Sequence, residues 1–179
     1  MDKKLPKRKH PRLKGYNYSS VGAYFITICV EDMRKILGEI IVGRGDLDAP
    51  YMQLSNYGLI VQKYLEQIEL HYKDVFIDKY VVMPNHIHVI IRISRDNITP
   101  IDNGASGLPR PTNHKIPTIM RAFKKLTDKE FGFNMWQTSY YDHVVRDEVD
   151  YLRIWQYIDN NPIKCAYDCD YVKMEGNES

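Results

Sequence analysis

The chain has 179 residues, of which 44% are hydrophobic and 27% are charged, with a formal net charge of +2. These values are ordinary for one globular domain. No apolar run approaches the length of a membrane span, and the charged N-terminus has no apolar stretch after it, so we expect neither a membrane protein nor a signal peptide. The three cysteines contain no Cys-x-x-Cys pair, which predicts a reducing, cytoplasmic location rather than a disulfide framework.

The first 14 residues form a basic arm. Seven lysines and arginines stand against one aspartate, a net charge of +6, which leaves −4 on the other residues. Arms of this kind often contact the phosphate backbone of nucleic acids. The alternative is a solvated tail that only aids solubility. The candidate DNA contacts in the arm are Lys7, Arg8, Lys9, Arg12 and Lys14.

The first half of the chain predicts two strands and a helix. β-branched and aromatic residues over 22–30 are typical of a central strand. Residues 36–42 predict a second strand, which we expect to return beside the first as a hairpin. Apolar residues then recur at helical spacing to about His71, after Ser55 or Asn56 as the helix cap.

Two more strands follow, joined by a turn at Pro84-Asn85. Residues 75–83 predict the first, and the second begins with His86 and His88, so the two should be antiparallel neighbours. Side chains alternate between the faces of a strand, so both histidines point to one face while Ile87 points into a core. Two imidazoles on one face are a candidate pair of ligands for a divalent metal. The alternative is an exposed or hydrogen-bonded pair that holds no metal.

The second half predicts a loop, a helix, an edge strand and a last helix. Residues 94–115 are rich in proline and glycine and form a long loop, and the helix from Pro117 ends at Gly132. Residues 135–145 predict an edge strand, and the last helix is stopped by Pro162. The helix from Pro117 has a basic outer face, which gives three more candidate DNA contacts: Arg121, Lys124 and Lys125. The whole order predicts an α+β fold, one antiparallel sheet with helices on one face.

The end of the last helix carries a second candidate for chemistry. Tyr157 and Asn161 are four residues apart, so on a helix they share one face. A tyrosine hydroxyl is a possible nucleophile, and an amide oxygen suits a hard cation. With two histidines, this set leaves positions open for water and a phosphate. The alternative is ordinary: a packing tyrosine, and an asparagine that caps a helix before a proline.

Both stretches together resemble the HUH single-tyrosine transposases, and within them the REP-associated tyrosine transposases. The likeness rests on Pro-Asn-His-Ile-His at residues 84–88, on Tyr157 near the C-terminus, and on Asn-Asn-Pro-Ile-Lys at 160–164. Residues 12–29 and 136–147 also match, so the resemblance spans about residues 12–167.

The resemblance implies a ferredoxin-like catalytic domain over residues 15–167, between the basic arm and a polar tail at 168–179. It implies that Tyr157 is catalytic and that His86, His88 and Asn161 bind Mg²⁺ or Mn²⁺. The reaction would cleave and rejoin single-stranded DNA, at a hairpin, through a 5′-phosphotyrosine. The partners would be single-stranded or hairpin DNA with no membrane, and the protein would be a monomer or homodimer. Two alternatives stay open: a relaxase-like or replication-initiator-like nickase, and a non-catalytic DNA-binding protein on a retired transposase scaffold.

Overall fold

A computed structural model describes residues 17–42, 49–94 and 115–165. The basic arm, the 95–114 part of the predicted loop and the polar tail therefore lie outside the described residues. In the part of the chain that is described, no helix combines the length and the apolar composition needed to cross a bilayer.

A four-stranded antiparallel sheet forms the centre of the molecule. Its strands are β1 (Gly22–Cys29), β4 (Val75–Met83), β5 (His86–Ile93) and β6 (Tyr141–Val144), in the order β4-β5-β1-β6. The predicted antiparallel pairing of β4 with β5 is confirmed. β6 is an edge strand, as predicted, but it is much shorter than 135–145; Trp136 makes only an isolated bridge to Val30.

The predicted hairpin of the first two strands is wrong. Residues 38–41 form β2 (Gly38–Ile41), which pairs with β3 (Tyr51–Leu54) in a separate two-stranded sheet. Both edges of β1 are occupied, one by β5 and the other by β6, so β2 has no place beside it. Proximity in sequence favoured the hairpin, but partners much later in the chain take both edges of β1.

Helices α1 (Asn56–Glu66), α2 (Ile68–His71) and α3 (Lys115–Phe131) pack on one face of the sheet. Ser55 caps α1, as predicted, because its hydroxyl accepts a hydrogen bond from the Gly58 amide at 3.2 Å. The single helix predicted to His71 is interrupted at Gln67, which separates α1 from α2. Gly132 ends α3 with a φ of 78°, a left-handed conformation that favours glycine.

Helix α4 (Glu148–Asp159) packs on the opposite face, where Ile154 and Ile158 contact Phe25 and Ile90. The α+β class with an antiparallel sheet is confirmed, whereas the placement of every helix on one face is corrected. The physical reason is the alternation of the strands: β1 and β5 are apolar on both faces along part of their length, so each face needs a cover.

Pro162 does not stop the last helix, contrary to the prediction from the sequence. Helix α4 ends at Asp159, the chain turns at Asn160, and residues 161–165 are helical again. Pro162 therefore lies in the first turn of the next helical segment, where a missing N–H costs nothing.

Candidate active site

The two histidines lie side by side on the face of β5 that α4 covers. Their Nε2 atoms are 3.1 Å apart, and their ring centroids are separated by 4.6 Å. His88 is buried, and its ring stacks on Phe25 with a centroid distance of 5.3 Å. The predicted shared face is confirmed, because Ile87 between them is fully buried in the core on the other side.

Both rings are also held through their second nitrogen. His86 Nδ1 is 2.7 Å from the Asn85 side-chain oxygen, and His88 Nδ1 is 2.7 Å from the Thr27 hydroxyl. Thr27 lies directly opposite His88 in the pairing of β1 with β5. These contacts point the two Nε2 atoms toward each other.

Burial keeps the imidazoles uncharged. Burial lowers the pKa of His86. Burial also lowers the pKa of His88 to about 3, with a smaller contribution from the repulsion that a protonated His86 would exert on a protonated His88. At neutral pH both rings are therefore neutral, which is the form that ligates metal ions.

The donor set fits a divalent cation. Two Nε2 atoms 3.1 Å apart can be neighbouring ligands of one ion at metal–nitrogen distances of about 2.1 Å. Among the described residues no group of three His, Cys, Asp or Glu side chains could hold a metal ion. Asn161 is buried at the start of the helical segment after α4, one turn beyond Tyr157.

Tyr157 reaches the histidine pair from α4. Its hydroxyl is 3.4 Å from His88 Nε2, and its ring lies edge-on to Phe25 at 6.0 Å. The tyrosine is 41% exposed, which leaves room for a substrate beside it. The helix is thus already docked on the sheet of its own chain, and no swing is needed to bring the hydroxyl to the histidines.

The two rival tyrosines lie elsewhere. Tyr140 is buried in the core on the α1/α3 side. Tyr141 is exposed on β6 and pairs with Thr27, so it shares the face of the histidines but lies two strands away from them.

Polar contacts fix α4 across the sheet. A register shift between Ile77 and Lys79 makes a bulge at Asp78, whose carboxylate accepts hydrogen bonds from Tyr151 at 3.0 Å and Arg92 at 2.9 Å. Burial, with the hydrogen bond to Asp78, raises the pKa of Tyr151 to about 12, so its hydroxyl stays a donor.

Two further contacts secure the ends of α4. Lys79 pairs with Asp159 at 2.5 Å and lies 4.5 Å from the centre of the Trp155 ring. His143 Nε2 is 2.7 Å from a carboxylate oxygen of Asp150. These contacts, with the one at Asp78, place Tyr157 over the histidine pair.

Sequence analysis missed several residues of this site. Asn85 and Lys164 lie inside the sequence motifs on which the resemblance rests, so their position could have marked them as site residues. Lys164 Nζ lies 5.7 Å from the centre of the Tyr157 ring. Thr27 could have been found only from the strand register. Asp78 could not be found, because nothing in residues 75–83 signals a bulge.

The structure places only the predicted DNA contacts on α3, which are Arg121, Lys124 and Lys125. The arm lies outside the described residues, and α3 covers the opposite face of the sheet. Arg121 and Lys125 are exposed there. Lys124 instead donates to the carbonyl oxygens of residues 137, 138 and 139 at 2.7, 3.3 and 3.1 Å. Its charge holds that segment against α3.

No family model matches this chain, but several known proteins are similar to it. A Haemophilus influenzae protein named "Uncharacterized protein" is 40% identical over 176 residues, covering 92% of this chain and 93% of that protein. A second protein of that organism, named "Putative REP-associated tyrosine transposase", is 24% identical over 154 residues, covering 84% of this chain and 76% of that protein. A solved REP-associated tyrosine transposase bound to a REP hairpin has the same fold, with a TM-score of 0.55, 21% identity, and 86% and 73% of the two chains covered.

The antiparallel α+β fold of this chain is that of the solved transposase, and in this chain a histidine pair and a tyrosine lie together on one face of the sheet. This chain belongs to one family with the 40% identical Haemophilus influenzae protein. The predicted resemblance to REP-associated tyrosine transposases is supported by the 24% identical relative of that name and by the shared fold of the solved transposase. These relationships support a transposase-like role in DNA processing.

Proposed function

We propose that this protein cleaves and rejoins single-stranded DNA beside a hairpin, through a metal-dependent covalent link to Tyr157. The observation that carries the proposal is the 3.4 Å distance between the Tyr157 hydroxyl and His88 Nε2, next to a pair of neutral imidazoles. A nucleophile within hydrogen-bonding reach of a cation site is the arrangement that phosphoryl transfer needs.

In the cleavage step the Tyr157 oxygen attacks a backbone phosphorus and the bond from phosphorus to the 3′ oxygen breaks. The products are a 5′-phosphotyrosine and a free 3′-hydroxyl. Attack by a 3′-hydroxyl on the phosphotyrosine reverses the step and rejoins DNA, without any added energy source. His86, His88 and Asn161 would hold Mg²⁺ or Mn²⁺, which would neutralise charge on the scissile phosphate.

The chain's own residues orient the nucleophile and supply a cation beside it. Phe25 contacts the rings of both Tyr157 and His88, which limits where the hydroxyl can point. The Lys164 ammonium lies 5.7 Å from the centre of the Tyr157 ring, where it can meet a substrate phosphate.

Hairpin DNA is the proposed partner because a solved protein of the same fold is bound to a REP hairpin. A covalent-adduct assay tests the function: an end-labelled hairpin oligonucleotide is incubated with protein and Mn²⁺, then run on a denaturing gel. Wild type and Tyr141→Phe should form the adduct, and it should vanish with chelator, with His86→Ala and with Tyr157→Phe. Hairpin binding without any wild-type adduct would instead support a non-catalytic DNA-binding protein.

The basic arm is proposed to contact DNA phosphates. Deleting residues 1–11 should weaken hairpin binding and flatten its dependence on salt, because five lysine and arginine side chains are removed from the phosphates. Fluorescence anisotropy over a salt series measures both quantities. An unchanged salt slope would show that the arm does not contact DNA.

A further inference from the structure

The two candidate metal ligands are each held through the nitrogen that faces away from the pair. Asn85 Oδ1 meets His86 Nδ1, and Thr27 Oγ1 meets His88 Nδ1, both at 2.7 Å. A neutral imidazole has one N–H and one lone pair. Whatever occupies Nδ1 therefore decides whether Nε2 has a lone pair to offer.

Asn85 settles that question for His86. Its side-chain Nδ2 donates to the Met33 carbonyl oxygen at 3.4 Å. A carbonyl oxygen only accepts, so the amide nitrogen must face Met33 and the amide oxygen must face His86. That oxygen also only accepts, so the proton of His86 is on Nδ1 and the lone pair of Nε2 points at the site.

An unusual backbone conformation brings the Met33 carbonyl to Asn85. Asp32 and Met33 have φ values of 55° and 54°, in the left-handed region that residues other than glycine rarely adopt. Such a conformation persists only where its surroundings enforce it. Three backbone hydrogen bonds of 2.9–3.1 Å do so, Met33 to Val30, Val30 to Asn85, and Leu37 to Pro84, and they join this turn to the Pro84-Asn85 turn.

Thr27 works differently, because a hydroxyl both donates and accepts. The 3.1 Å contact between the two Nε2 atoms is a hydrogen bond in which one of the two nitrogens must carry the proton. His86 Nε2 has none, so His88 supplies it and Thr27 donates to His88 Nδ1. When both Nε2 lone pairs face a cation, the proton of His88 sits on Nδ1, and the Thr27 hydroxyl accepts a hydrogen bond from that N–H. A valine could do neither.

We propose that Asn85 and Thr27 are positioning residues that set the tautomers of His86 and His88, so that both Nε2 lone pairs converge on one divalent cation. Asn85 fixes one ring permanently, whereas Thr27 lets the other ring change tautomer without any net release of protons. The inference rests on the proposed function in one respect only, that this cation is the one used in cleavage.

Mn²⁺ titration of the DNA-free, full-length protein by calorimetry tests the proposal. Asn85→Leu and Thr27→Val should each bind Mn²⁺ about 10- to 100-fold more weakly than wild type. Asn85→Asp and Thr27→Ser keep an oxygen at Nδ1 and should stay within about threefold. Equal affinity in all five proteins, or no Mn²⁺ binding by wild type, would overturn it.

A spectroscopic measurement covers the case in which a variant is merely less well folded. Two-dimensional ¹⁵N spectra of the imidazole rings distinguish an N–H at Nδ1 from one at Nε2. Wild-type His86 should carry its proton on Nδ1, and Asn85→Leu should give a mixture or the other tautomer; His86→Ala assigns the signals. A wild-type His86 protonated on Nε2 would overturn the proposal. Neither measurement uses DNA, so a failure to form the covalent adduct would reject the proposed function and leave this inference standing.

Discussion

The two faces of the central sheet differ in what covers them. In the described part of the chain, the cluster on the α1/α3 side contains 22 buried apolar side chains, and the cluster under α4 contains four. The α4 side depends instead on ion pairs and hydrogen bonds at Asp78, Lys79 and His143. Alternate residues of the same strand serve these two purposes, Ile87 and Val89 on one face and His86 and His88 on the other.

This difference separates stability from chemistry. Apolar burial is non-directional and contributes most of the free energy of folding. Hydrogen-bonded polar groups contribute less but fix orientation. A site on the polar face can therefore lose its reactive groups with little loss of stability, whereas a change on the apolar face should destabilise the domain. The predictions below run from the largest expected loss of stability to the smallest.

Ile87→Ala should lower the free energy of unfolding by about 2–5 kcal/mol, since it leaves a cavity where a fully buried side chain was. Ile87→Val is the matched control and should cost about 0.5–1.5 kcal/mol. Urea denaturation followed by tryptophan fluorescence measures both. A loss for Ile87→Ala no larger than that for Ile87→Val would mean that this face is not the main source of stability.

Asp150 should make the α4 face sensitive to acid. Its hydrogen bond with His143, with a further one from Arg153, lowers the pKa of Asp150 to about 2. A carboxylate with a lowered pKa stabilises the folded state at pH values above its unfolded pKa of about 4. That contribution is lost as the pH falls toward 2. From about pH 5 to about pH 2.5, wild type should lose more unfolding free energy than Asp150→Asn. Parallel pH profiles for the two proteins would contradict this assignment.

Lys164→Met should leave stability nearly unchanged, because the side chain is exposed. The single-turnover rate of adduct formation should fall about tenfold, the size expected when a charged partner of the nucleophile or phosphate is lost. Lys164→Arg keeps the charge and should recover most of the rate. Rapid-quench kinetics with the labelled hairpin measure the rate for each protein. Equal rates for Lys164→Met and wild type would show that the Lys164 charge does not contribute to adduct formation.

Tyr157→Phe should have the smallest effect on stability, since it keeps the ring packed on Phe25 and removes a hydroxyl that is partly exposed. It should bind Mn²⁺ and hairpin DNA like wild type, yet form no adduct and release no 3′-hydroxyl. Calorimetry and the gel assay measure the two properties. A Tyr157→Phe protein that still cleaves would place the nucleophile elsewhere.

The sequence predicted the local features of this site better than its surroundings. Strand alternation was enough to put His86 and His88 on one face, and the motif around Tyr157 was enough to single out that tyrosine. The two-sided covering of the sheet was missed, because the apolar stripe of α4 shows that it packs but does not show on which face. The pairing of β2 with β3 and the bulge at Asp78 depend on long-range strand partners, which local periodicity does not encode.

Mass spectrometry of the trapped protein–DNA adduct tests the central claim most directly. Wild-type protein is incubated with hairpin DNA and Mn²⁺, the covalent species is digested with protease and nuclease, and the modified peptide is sequenced. A nucleotide joined through its 5′ phosphate to Tyr157 is the predicted result. A nucleotide on the exposed Tyr141, on Tyr140, or on any other residue would contradict the account.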